Sequence, residues 1–435
     1  MKNRGKKVGV FYLTLFLSFS LLLTACLPEG SSSGGNAEGK TEITFWHDAT
    51  DIGLQALKKM VAAFEEKNPD IKVKMVYTEA SEGADQKLLT AVAGGNPPDV
   101  ALFDRFKIGS WAAQDALTNL TDMAASDGIT EEIYYPYAWE EANYKGKLYG
   151  LPYTTDSRML YYNKDHFKAA GLDPENPPKT TQELEAAAEK LTKKEGNRFK
   201  QIGFIPWYGQ GWIYGWGWSF GGEFYNKETG RVTANDPEIV EALTWMADVA
   251  QKFDVEDIAG FESSAGSGAM DPFISGQISM KVDGNWTISA IEKYKPDLNY
   301  GVTPIPTPTG TDFTTWSGGH AVIIPKGAKN VEAAWEFVKF FGTEEGQEVY
   351  FAELPGDLSV IPTVNEKLGR GDNLMLKKFI DILPNSHSRP VIPEGQLMWN
   401  EIVDARENTV RGKGTAQENL DKATEAVNKA LEKYK

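Results

Sequence analysis

From Pro206 the chain reads Pro-Trp-Tyr-Gly-Gln-Gly-Trp-Ile-Tyr-Gly-Trp-Gly-Trp, placing Trp207, Trp212, Trp216 and Trp218 within twelve positions, four of the 12 tryptophans in the protein. Glycine lets a backbone turn sharply and leaves neighbouring ring faces uncovered. A sugar presents an apolar C–H face and a polar rim, and flat rings suit the first of these. A compact ion would not need such area. The competing reading is a buried aromatic core, but core segments seldom carry this much glycine. One or two of Trp207, Trp212 and Trp216 are therefore expected to stack on a ligand.

Patterns for covalent or metal chemistry are weaker. Gly217-Trp218-Ser219-Phe220-Gly221 formally fits the nucleophile pattern Gly-x-Ser-x-Gly, which needs a strand before it and a helix after it. The Gly222–Gly230 stretch that follows reads instead as a hairpin. His47, His166, His320 and His387 stand apart with no His-Glu-x-x-His spacing, so no metal is expected. No cofactor is implied. His47-Asp48 follows the first strand, where α/β sheets place ligands beyond the strand ends. Asp283 and His320 are further binding candidates, with surface or capping roles as the alternatives.

The elements that must hold these residues alternate. Glu42–Trp46, Ile71–Tyr77 and Val100–Phe103 have the period of strands. Leu54–Asn68 and Gln86–Gly95 have that of helices, ending at Asn68-Pro69 and Gly94-Gly95. Strand–helix alternation predicts a parallel α/β sheet. Further helices are expected at Gln182–Lys194, Glu238–Phe253, Val331–Phe341 and Ala416–Tyr434.

The N-terminus carries Lys2, Arg4, Lys6 and Lys7 and then an apolar run from Val8 to Leu23, a pattern for export. The only cysteine, Cys26, follows Leu23-Thr24-Ala25, as in a lipoprotein signal whose thiol is lipidated after cleavage. Residues 1–25 read as this signal and 26–41 as a Gly/Ser-rich tether. Removing the four basic residues of 1–25 takes the formal charge from −16 to −20. So acidic a chain argues against a nucleic-acid partner. Without further cysteines the mature fold must stand on packing alone.

Several motifs together resemble the extracellular solute-binding proteins of sugar ABC importers, nearest their maltodextrin-type group. They are Gly95-Asn96-Pro97-Pro98-Asp99-Val100, Gly150-Leu151-Pro152-Tyr153, Leu160–Asp165, Gly276–Met280 with Gly284-Asn285-Trp286, Trp316–Lys326, and Pro355-Gly356-Asp357 with Ile361-Pro362-Thr363. The resemblance covers essentially the whole mature chain. It implies a two-lobe α/β fold of the type II periplasmic-binding-protein kind, with a hinge and a ligand cleft between the lobes. The lobes would be 42–155 plus 304–360 and 156–303 plus 361–435, with crossings near Tyr153–Asp156, Tyr300–Pro306 and Pro355–Thr363. It also implies a monomer that delivers its ligand to a permease from the outer face of the membrane, held there by lipid on Cys26.

For the site, the resemblance implies stacking by Trp286, Trp399 and Trp207 and hydroxyl recognition by Asp104, Arg105 and Asp156. A carboxylate can accept two hydroxyl donors through charge-assisted bonds. An ion pair with Arg105 or a helix N-cap competes for Asp104, and a plain hinge role competes for Asp156. The number of rings favours an oligosaccharide. The rival functions are a secreted glycoside hydrolase or lyase with Asp104 and Asp156 as paired acids, and a carbohydrate-binding adhesin without transport.

Overall fold

The computed structural model describes residues 39–79, 82–196 and 198–434. The export signal, Cys26 and nearly all of the tether lie outside the described residues. The segment Lys40–Lys435 forms one compact unit.

A five-stranded sheet runs in the order Ile71–Tyr77, Thr41–His47, Val100–Asp104, His320–Ile323, Gly150–Pro152. The first three strands are parallel, with Thr41 opposite Ile71 and Phe45 opposite Val100. His320–Ile323 returns antiparallel to both of its neighbours. Alternation does this work: Ile43, Phe45 and His47 point inward from the first strand. The helix Asp51–Lys67 covers the sheet with Ala56, Leu57, Met60, Val61 and Phe64, a stripe of helical spacing.

A second, antiparallel sheet has Arg158–Asn163 at its centre, between Met280–Gly284 and Tyr300–Thr303. All six residues of the central strand are buried. Thr180 with Glu183, and Thr415 with Glu418, form capping boxes that start the helices Thr181–Leu191 and Ala416–Leu431.

Two hydrophobic cores result. One combines residues within 43–153 and 321–364; the other combines residues within 159–316 and 376–431 with Leu358. Ile305 and Trp316 belong to the second core, although the sequence places 304–360 with the first lobe. The cause is pairing of Thr315–Trp316 with Ser386–His387, which draws this stretch across. Between the cores, Thr154–Thr155 pairs antiparallel with Leu358–Ser359, so two crossing segments lie side by side. Among the described residues no helix is long and apolar enough to cross a membrane.

The aromatic segment differs from its sequence reading. Ile213–Ser219 is a buried helix, and Gly217 within it serves close packing. A Cβ on Gly217 would stand 2.5 Å from the Phe224 ring, so glycine is what admits Phe224 against the helix. Ser219 is buried and donates to the Gly215 carbonyl at 2.8 Å.

Candidate functional site

Asp104 ends the strand Val100–Asp104 and caps the turn Arg105–Lys107, accepting from the Phe106 amide at 3.3 Å. The N-cap alternative is thus realised, but the ion-pair partner is Arg389, whose Nη2 lies 3.1 Å from Asp104 Oδ1. Burial opposes ionisation of Asp104. Arg389, His320, Lys107 and the Phe106 amide outweigh it and hold the carboxyl below its ordinary range. His320 sits directly opposite Asp104 in the sheet.

Around this carboxylate the structure builds an alternating row of indole rings and guanidinium groups. Arg158 lies 5.6 Å from the Trp286 ring and 4.1 Å from the Trp316 ring. Arg389 lies 5.2 Å from Trp316, 5.4 Å from Trp399 and 3.8 Å from Phe106. Trp399 then meets Trp212 at 4.9 Å, and Arg406 stands 5.6 Å from Trp212. Guanidinium planes over aromatic faces gain from the ring quadrupole and are well suited to such layering. Each arginine has a carboxylate beside it. Asp156 pairs with Arg158, Asp104 with Arg389, and Glu262 faces Arg406 while hydrogen-bonding Trp207. Asp156 also accepts from the Gly318 amide at 2.9 Å, which ties the crossing segment to residues near Trp316.

The expected residues fall into three groups. Asp104, Asp156, Trp212, Trp286 and Trp399 lie along the row, and Trp207 joins its end through Glu262. Trp286 is 36% exposed, with its ring folded back over Gly284, where a Cβ would come within 2.1 Å of the indole. Trp212, Trp399 and Trp207 are half-buried.

A second group stands near the row but is engaged by the protein. Asp283 takes the buried Lys281 ammonium at 2.7 Å. The backbone amide of His320 donates to the Thr154 hydroxyl oxygen at 2.8 Å. His47 is 3% exposed, and burial pulls its imidazole below the usual histidine value against the pull of Asp48. Asp48 follows that strand, within electrostatic reach of Tyr153 and Tyr350.

Two residues have places other than those their neighbourhoods suggest. Arg105 is 0% exposed, and its guanidinium is spent on Glu141 at 3.0 Å, the Gly318 carbonyl at 2.6 Å and the Thr154 carbonyl. It holds up the site from beneath and has no face toward solvent. Trp216 is 1% exposed, donates its Nε1 to the Pro206 carbonyl at 2.8 Å and packs on Trp245. It is a core residue.

Sequence inspection did not single out Arg158, Trp316 or Arg389 as site residues. Arg158 opens its strand two positions after Asp156, a spacing that sets both side chains on one face of an extended chain. That signal was available. Arg389 carries none, because its partner Asp104 is 285 positions away.

A cavity of about 1060 Å³, lined in part by Arg389, opens between the stacked Tyr135–Tyr137 pair and the stacked Trp218–His387 pair. None of the sequence-predicted binding residues lines it. Among the described residues, no group of three or more His, Cys, Asp or Glu is placed to hold a metal ion.

The family model for bacterial extracellular solute-binding proteins matches residues 49–348. The chain belongs to this family. It is 28% identical to the maltooligosaccharide ABC transporter solute-binding lipoprotein of Streptococcus pneumoniae over 95% of this chain and 94% of that one. It is 26% identical to the galactooligosaccharide-binding protein of Bacillus subtilis over 97% of each chain. Among solved structures, the mannotriose-bound form of CpMnBP1 superposes with a TM-score of 0.80 at 28% identity, covering 88% of this chain and 99% of that one. The architecture is therefore the two-lobed, type II α/β fold of periplasmic binding proteins. A family of solute-binding proteins lends no support to the hydrolase reading.

Proposed function

We propose that this solute-binding protein captures an oligosaccharide between its two lobes and delivers it to the permease of an ABC importer. The single observation that carries the sugar reading is the row of indoles, half-exposed except for the buried Trp316, with a carboxylate beside each arginine, extending from Trp286 through Trp399 to Trp207. Rings offer stacking to sugar C–H faces, and Asp104 and Asp156 offer acceptors to hydroxyls. A row of this length suits several sugar rings in series better than one. Relatives matched over nearly their whole length include proteins named for maltooligosaccharide and galactooligosaccharide, which supports an oligosaccharide without choosing the linkage.

In this reading the lobes meet at the paired crossings Thr154–Thr155 and Leu358–Ser359, and ligand closes them by a hinge motion. Cys26 anchors the monomeric chain through lipid on the outer face of the cell membrane, with residues 26–41 as a leash. Tryptophan fluorescence of the mature protein, titrated with oligosaccharides of different linkage and length, tests the proposal. A saturable change with one series, the sugar recovered intact, is the expected result. Tighter binding of glucose than of every oligomer would overturn it.

A further inference from the structure

Arg389 occupies a place that neither family membership nor sequence position assigns to it. It extends from the segment after Ser386–His387, which pairs with Thr315–Trp316 and belongs with the second core. Its guanidinium nevertheless reaches Asp104, at the end of a strand in the other sheet, at 3.1 Å. The same group lies 3.8 Å over Phe106, which follows Asp104 by two residues, and 5.2 and 5.4 Å from Trp316 and Trp399. Arg389 is 8% exposed while the Asp104 side chain keeps 30% of its surface open, so the guanidinium is buried beneath a carboxylate that still faces outward. One planar cation thus ties a carboxylate from one half of the site to two rings from the other. Lysine could supply the charge but not the planar layering.

We propose that Arg389 is a positioning residue of the sugar site, fixing the Asp104 carboxylate relative to the Trp316 and Trp399 rings across the two halves of the molecule. This rests on the oligosaccharide reading above. The charged groups facing Asp104 are Arg389, His320 on the adjoining strand, Lys107 on the following turn, Glu141 and Arg158. Burial works against ionised Asp104, and Arg389 is the largest of the groups opposing it. Without that guanidinium the carboxyl takes up a proton at higher pH and ceases to be an acceptor only.

The test is calorimetric titration of the mature protein with maltotriose, mannotriose and a galactotriose, from about pH 7.5 down to about pH 4.5, using the unaltered protein, Arg389→Met and Arg389→Lys. Melting temperature serves as the control for folding. The expected result is roughly tenfold weaker binding in Arg389→Met at neutral pH, with further loss on acidification that the unaltered protein does not show. Arg389→Lys should bind weakly yet keep the flat pH profile, because it retains the charge and loses the layering. If both variants lose affinity equally with the same pH profile, Arg389 is only a packing residue and the proposal fails. Unchanged binding in Arg389→Met overturns it as well. Failure of the unaltered protein to bind any of the three sugars would instead bring down the oligosaccharide reading, and this role with it.

Discussion

The Nε of Arg105 donates to Glu141 Oε2 at 3.0 Å, and the two side chains are 0% and 1% exposed. Beside them, Gly319 adopts φ +134, and a Cβ there would stand 2.2 Å from the Thr154 carbonyl and 2.6 Å from Arg105 Nη1. The pair therefore sits under the crossing segment, joined to it through Thr154 and Gly318. Removing one member of a buried ion pair strands the other charge, at a cost of about 3–5 kcal/mol. Glu141→Leu is expected to lose that much in urea unfolding, whereas Arg105→Leu with Glu141→Leu together should lose clearly less than the sum of the two.

Stability should depend on pH through Asp357. Burial, opposed by Arg370 and reinforced by Asp156, pushes its carboxyl from the ordinary value of 3.8 up to about 6. The native state then binds a proton that the unfolded chain has already released. Its contribution is fully present below about pH 4 and is lost as pH rises to about 6, worth at most roughly 2–3 kcal/mol. Asp357→Asn removes this dependence. Unfolding measured at several pH values should show the variant gaining on the unaltered protein between pH 4 and 6; a constant difference would contradict the assignment.

The three parallel strands and their helices were legible because burial imposes period 2 on Thr41–His47 and period 3.6 on Asp51–Lys67. Asp104 and Asp156 were named from motifs that resemble the family's, and the structure sets each of them beside an arginine of the row. What was not legible depends on distant pairings. Arg105 meets Gly318 across 213 positions and Asp104 meets Arg389 across 285, so neither the burial of the first arginine nor the role of the second has a local signature. Trp216 misled for a different reason. The glycines around it suggested open ring faces, but Gly217 lets Phe224 approach the helix.

Gly284 controls the direction of Trp286. With a methyl group there, the indole, which now approaches the Cβ position to 2.1 Å, must swing away. Stacking of one ring contributes about 0.5–1.5 kcal/mol. Gly284→Ala should therefore weaken sugar binding about two- to tenfold, measured by fluorescence titration. Equal affinity in the variant would show that Trp286 does not face the ligand.

Trp216 and Trp286 should separate stability from binding. Trp216→Ala empties a fully buried site and is expected to cost about 3–5 kcal/mol in unfolding. Trp286→Ala removes a ring that is 36% exposed, and its unfolding free energy should change by less than about 1 kcal/mol while sugar affinity falls. The opposite pattern would exchange the roles of the two tryptophans.

The central claim is capture of an oligosaccharide along the row from Trp286 to Trp399. Its most direct test is calorimetric titration of the unaltered protein and of the Asp156→Asn, Trp399→Ala double variant with a panel of oligosaccharides. One sugar per chain is expected to bind the unaltered protein saturably, to be recovered unchanged, and to bind the double variant at least tenfold more weakly. Binding that the double variant retains in full would place the ligand elsewhere, and no binding across the panel would contradict the claim itself.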